Sequence, residues 1–374
     1  MKQFIYADNA ATTKLDNEAF EAMTPYLLKA YGNASQPYSF AREPKKALAE
    51  ARQIIASAIN ALPEEIYFTS GGTESDNWAI KGSAFLDVDK RATLASAIEH
   101  HAVLKACEAI ERLGYPVAYI NPNPKGLITP EALESVITNK TGLVSVMYSN
   151  NEIGTIEPIK ELAIIAHKHG ALFHTDAVQA VGHIGIDVKE LDVDMLSASA
   201  HKFNGPKGIG FLYIRKGVNI APFNDGGSQE AGFRAGTENV AFIVGMAIAL
   251  RNNLAKLHEN EAHILKLEQI LLSELSEIDF IRNGAEKHIP GNISLSFKGY
   301  DGEAILHRLD LSGICVSTGS ACDSVNTQIS HVLKAINLDP LYAKGTIRIS
   351  LGKDNTEAEA VAISKALIKI IQQR

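Results

Sequence analysis

Short apolar runs alternate with amphipathic stretches along most of the chain, and the alternation predicts strands and helices in turn. The first residues, Phe4-Ile-Tyr6, read as a short strand that turns into a polar loop, Asp8-Asn9-Ala-Ala-Thr12-Thr13. Asp16 is placed to cap a helix reaching Ala30, and Gly32-Asn33 break it. A second helix over 40–60 carries Leu48, Ile54, Ile55 and Ile59 along one side. A strand over 65–69 runs directly into Ser70-Gly71-Gly72-Thr73, which opens a helix to about Phe85. Strands are then expected at 93–98, 116–120, 143–149, 172–175, 195–199 and 209–214. Helices are expected between them at 102–113, from Thr129-Pro130, and at 159–169.

Seven strands alternating with helices predict an α/β fold, a mostly parallel mixed sheet flanked by helices on both faces. In such sheets ligands sit at the carboxyl ends of the strands. The polar motifs fall there, after Thr69, Ile98, Tyr148, Phe173 and Ser199. Beyond Asn239 the pattern changes. A long helical stretch over 240–275 reads as a spine, and the last hundred residues mix strand and helix. The final helix opens on a capping box, Thr356-Glu-Ala-Glu359, followed by Ile363, Leu367, Ile370 and Ile371 on one face. The expected division is a large domain over 15–256 and a smaller α+β domain made of 1–14 and 257–374.

Composition narrows the class. The chain has 374 residues, more than a single core usually holds, with 46% hydrophobic and 21% charged residues, as in ordinary soluble enzymes. Its net charge of −7 argues against a nucleic-acid surface. The apolar run 240–250 is too short to span a bilayer, and the first residues lack the apolar core of a signal peptide. Three cysteines, Cys107, Cys315 and Cys322, form no Cys-x-x-Cys pair, which suits a reducing cytoplasm. Cys107 and Cys315 lie among apolar neighbours and read as packed, whereas Cys322 lies in a run of small polar residues, Ser317-Thr-Gly-Ser-Ala-Cys322-Asp-Ser, where a thiolate can act.

Candidate chemistry gathers around Ser197-Ala-Ser199-Ala-His201-Lys202-Phe-Asn-Gly-Pro. A lysine is costly to bury unless its charge is paired or chemically used, and a Schiff base with an aldehyde is one such use. Upstream, Asp176 in His174-Thr-Asp-Ala-Val-Gln179 can face a ring nitrogen, and Gln179 a ring hydroxyl. Gly71-Gly72-Thr73 at a helix start welcomes a phosphate. Amine, counter-charge and phosphate cradle together describe pyridoxal 5'-phosphate. In Glu99-His100-His101 an imidazole can stack on a flat ring and move protons. No further metal ligands stand at suitable spacing, so no metal site is expected. Arg348, in Thr-Ile-Arg-Ile-Ser, offers a fork for a substrate carboxylate.

These motifs, with Asn150-Asn151-Glu-Ile-Gly154 and Arg348-Ile-Ser-Leu-Gly352, resemble those of cysteine desulfurases, pyridoxal-phosphate enzymes of the class V aminotransferase group and fold type I. The resemblance runs the whole length. It implies a homodimer that converts L-cysteine to L-alanine and leaves a persulfide on Cys322, in the subgroup with a long cysteine loop. By the same resemblance Lys202 carries the cofactor, Asp176 and Gln179 hold its ring, and Gly72, Thr73, Ser199 and His201 hold its phosphate. Thr237 reaches in from the partner subunit, and His100 stacks on the ring. Asn151 and Arg348, with Asn33 beside them, take the substrate carboxylate. The sulfur is expected to pass to an acceptor protein such as an iron–sulfur scaffold, with Cys322 touching the cluster during transfer. Neither direct nucleic-acid binding nor membrane binding is expected. Tyr38 stands where the family often has a histidine, at the mouth of the site. A selenocysteine lyase, a plain aminotransferase of the same group and a non-catalytic sulfur-system scaffold are the rival readings.

Overall fold

The structure is a computed structural model that describes residues 4–87, 89, 91–319 and 329–373. Twelve strands occur among the described residues. They are β1 (Ile5–Tyr6), β2 (Ile66–Thr69), β3 (Ala92–Ser96), β4 (Val117–Ile120), β5 (Thr141–Ser145), β6 (Leu172–Asp176), β7 (Met195–Ser199), β8 (Gly210–Ile214), β9 (Ile281–Asn283), β10 (Asn292–Ser296), β11 (Ile314–Cys315) and β12 (Thr346–Ser350).

Seven of them form one sheet in the order β2-β8-β7-β6-β5-β3-β4. β3 to β7 pair in parallel, and β8 runs antiparallel to both β7 and β2. Every residue of β5, β7 and β8 is buried, as strands covered on both faces must be. One cluster centres on Ile55, Phe173, Phe203 and Leu250, and a second on Trp78, Cys107, Met195 and Leu212. This is the α/β sheet that the hydrophobic pattern predicts.

A third cluster has its own antiparallel sheet, β12-β10-β9, covered by the helices Leu257–Glu274 and Glu357–Gln372. Ile293, Leu295, Ile347 and Ile349 meet Leu267, Leu271, Ile363 and Leu367 there. β1 pairs in parallel with β11, so the N-terminal strand belongs with the C-terminal part of the chain.

The expected spine over 240–275 is two helices, Val240–Ala255 and Leu257–Glu274, bent by 72°. The break is at Lys256, whose backbone leaves the helical region (φ −117°, ψ 19°). The first helix is apolar nearly all round and serves the large core, while the second is amphipathic and serves the small one. Two different buried faces are satisfied only by turning. No single helix among the described residues is long and apolar enough to cross a membrane. Cys107 is buried, with burial pushing its thiol up to about 12, but Cys315 is partly exposed on the short β11 rather than packed.

Candidate active site

A cavity of about 470 Å³ opens at the carboxyl ends of the large sheet's strands, within the size range of cofactor and ligand pockets. Its amine is Lys202, in the 3₁₀ turn Ala200–Lys202 that follows β7. The Nζ donates to the carbonyl oxygens of Ala10 and, at 2.9 Å, Ala11, both in the loop after β1. Gln179 Nε2 donates to the same Ala10 oxygen at 3.0 Å.

Asp176 ends β6 on the cavity floor and is 4% exposed. Its Oδ1 accepts from the Val178 amide at 2.9 Å. Burial pushes its carboxyl up to about 6, against the pull of the Val178 amide and the Lys202 charge. A protonated ring nitrogen above this carboxylate would add a cation to the partial help that Lys202 gives.

The anion end is the start of the helix Gly72–Leu86, lined by Gly72, Thr73, Ser199 and His201. Gly71 precedes it at φ +148°, a backbone state that favours glycine. A Cβ on Gly72 would lie 2.6 Å from Val178 Cγ2, so a larger residue there would have to displace the Val178 side chain just after β6. His201 Nδ1 lies 3.1 Å from Thr12 Oγ1, and burial, then the charges of Lys202 and Lys207, push the ring down to about 4. An amine, a buried carboxylate and a helix-start cradle fit pyridoxal phosphate, and they line one cavity.

His100 is the N-cap of the helix His101–Arg112, and its Nδ1 accepts from the Ala102 amide at 3.1 Å. Burial, then the charges of Lys202, His101 and His331, push it down to about 4. The ring is therefore neutral near pH 7, and with Nδ1 engaged its hydrogen sits on Nε2. Asn151 lines the same cavity, and its carbonyl accepts from Arg348 Nη1 at 2.9 Å. Arg348 comes from β12 of the small sheet and also pairs with Asp8 at 2.8 Å.

Two expected site residues lie elsewhere in this chain. Asn33 folds back on its own loop, its Oδ1 accepting from the Ser35 amide at 2.9 Å. Thr237 lines a separate pocket of about 190 Å³ beside Glu230 and Arg234. Tyr38 is about half exposed. Cys322 lies outside the described residues.

The sequence alone assigns no role to several residues in or beside the cavity. Asp76, one turn into the Gly72–Leu86 helix, is 1% exposed and 3.7 Å from His174 Nε2. Burial first and then the Asp176 charge push its carboxyl well up. Met147, Glu152, His331 and Thr12 also line the cavity. Glu99, beside His100, is wholly buried and takes hydrogen bonds from Ser96 Oγ (2.6 Å) and the Met147 amide (2.7 Å). Asp76 occupies the inward position of its helix turn, the one signal that could have found it.

The sheet, and the cavity at its carboxyl edge, are those of the class-V aminotransferases. The family model "Aminotransferase class-V" matches residues 5–363. Membership implies pyridoxal phosphate use in general. The cysteine desulfurase IscS of Dictyoglomus turgidum is 47% identical over 100% of this chain and 96% of its own length. Among solved structures, a NifS-like protein superposes with a TM-score of 0.93 at 38% identity, covering 99% of this chain and 100% of the other. A structure described as SspA in complex with cysteine gives 0.84 at 35% identity, covering 94% and 100%. Within the class-V aminotransferase family, this chain belongs to the cysteine desulfurases.

Proposed function

We propose that this cysteine desulfurase takes the sulfur of L-cysteine onto Cys322 as a persulfide, releases L-alanine, and passes the sulfur to an acceptor protein such as an iron–sulfur scaffold. The observation that carries the reading is the single cavity shared by Lys202, Asp176, the Gly72–Thr73 helix start and Arg348.

Pyridoxal phosphate, when bound, would supply an aldehyde for the Lys202 amine and an electron-accepting ring. Gly72, Thr73, Ser199 and His201 would hold its phosphate, Asp176 its ring nitrogen and Gln179 its ring hydroxyl. Arg348 and Asn151 bind the carboxylate of the incoming amino acid and fix its Cα beside Lys202. Lys202 takes the Cα proton and later returns it. Its Nζ is held meanwhile by the Ala10 and Ala11 carbonyls, which orient an amine without neutralising it. His100 is a poor base near pH 7. It donates from Nε2 to the substrate sulfur, keeping that atom aimed out of the pocket. The Cys322 thiolate then attacks the sulfur. An S–S bond forms, the C–S bond breaks, and the carbon collects protons to become the methyl group of alanine, so no external oxidant is needed.

In the homodimer, Thr237 of the partner subunit would add to the phosphate cradle, consistent with its place outside this chain's own cavity. A reducing cytoplasm keeps the thiol usable.

Two variants test the reading. Lys202→Ala should bind the cofactor without its visible absorbance band, and an unchanged spectrum ends the assignment of the amine. Cys322→Ala should keep the band but form no persulfide, which radiolabelled L-cysteine and gel analysis would detect. Sustained alanine production by that variant removes Cys322 from its role.

A further inference from the structure

Arg348 is the cation that meets the substrate, yet it is already engaged. Its side chain is 3% exposed, and a guanidinium so buried needs a counter-charge before any substrate arrives. Asp8 provides it, with Oδ1 accepting from Nη2 at 2.8 Å while the Asn151 carbonyl accepts from Nη1 at 2.9 Å. The Nε–H is buried and has no hydrogen-bond partner among the described residues. Both terminal nitrogens are thus fixed in place, one by each neighbour.

Asp8 does not float. Its backbone bridges Ser350 of β12, two residues beyond Arg348, and its carbonyl accepts from Tyr6 Oη at 3.1 Å. Three residues of one strap therefore reach the machinery. Asp8 holds Arg348, while Ala10 and Ala11 hold Lys202.

Resting on the proposed binding of an amino acid at Arg348, we propose that Asp8 is a positioning residue for the substrate carboxylate. It clamps one terminal nitrogen of Arg348 opposite the Asn151 clamp, which fixes the orientation in which the fork meets the amino acid. A carboxylate pairs best with a guanidinium through two parallel N–H bonds, and that geometry is lost if the fork swivels. Asp8 also offsets the arginine's charge, so a substrate carrying a second anionic group at this end is disfavoured.

The test uses cofactor-loaded enzyme, comparing wild type with Asp8→Asn and Asp8→Glu. In Asp8→Asn the KM for L-cysteine and the Kd for L-alanine, read from the change in the visible band on titration, should both rise about tenfold. The kcat should fall by no more than about twofold, because the lost contact acts on binding. Cofactor content should stay at the wild-type level, and Asp8→Glu should recover part of both constants. Unchanged KM and Kd overturn the proposal. So does a fall in kcat alone, or loss of the cofactor, either of which gives Asp8 another role. If Asp8→Asn fails to melt cooperatively, Asp8→Ser is read by the same criteria. A wild-type enzyme that makes no L-alanine from L-cysteine fails the functional reading instead, a result distinct from any effect of the variants.

Discussion

A carboxyl group ordinarily titrates near 3.8, and Asp176 is raised to about 6 chiefly by burial. The raised value means that the folded protein, without its cofactor, carries this charge at a cost. The cost is absent below the ordinary value, grows between about 4 and 6, and persists at higher pH. Two outcomes follow for the cofactor-free protein near pH 7. Asp176→Asn should melt a few degrees higher than wild type by calorimetry, since the amide keeps the Val178 contact and sheds the charge. It should also bind pyridoxal phosphate more weakly. Wild-type affinity should itself decline as pH falls through about 6, a step missing from the variant's titration. A variant that melts lower, or that shows the same step, would mean that the carboxylate is not the group exposed to the ring nitrogen. His100 behaves oppositely. With its ring pushed down to about 4, it should add no ionisation to the rate profile between about pH 5 and 8.

At the scale of elements, the site depends on how closely the Gly71 turn approaches β8. A Cβ on Gly210 would strike the Ala198 carbonyl oxygen and lie 2.8 Å from Gly71 Cα. Gly210→Ala should therefore cost roughly 1–3 kcal/mol in denaturant unfolding and also loosen cofactor binding, since the turn must retreat. Gly170→Ala is the contrast. Its backbone has φ +71° but nothing lies within 4 Å of a new Cβ, so it should cost about 1 kcal/mol from backbone strain and leave cofactor affinity alone. Equal effects on affinity would show that the close approach does not matter. The strand–helix order, the Gly71–Gly72 turn, the Asp16 cap and the Thr356–Glu359 box were legible because each is written locally, in period or in cap chemistry. The Lys256 bend was not, because neither glycine nor proline marks it and only two separate cores demand it. Asp8, Asp76 and Glu99 were hidden for a related reason. A carboxylate's burial is decided by what folds over it, and nothing beside Asp76 in sequence announces Asp176 or His174.

The whole molecule places its chemistry across two cores. Lys202, Asp176 and the helix start stand on the large sheet, Arg348 stands on the small one, and the strap Asp8–Ala11 touches both. Asn292 of β10 adds a contact, with Nδ2 donating to the Asn151 carbonyl at 3.3 Å. If the proposed binding holds, an amino acid anchored at one end to Arg348 and at the other beside Lys202 adds a further bridge between the two cores. Binding that bridges independently packed parts protects the backbone of both, including positions that touch no ligand. Hydrogen exchange on cofactor-loaded enzyme should therefore slow in β12 and in residues 8–12 when L-alanine is added. β4, at the far edge of the large sheet, should not change. In Arg348→Ala the cofactor should still protect the Gly72–Leu86 helix start, while L-alanine should no longer slow exchange in β12. If β12 gains protection from the cofactor alone, the small sheet is already locked without substrate, and the bridge is not made by the amino acid.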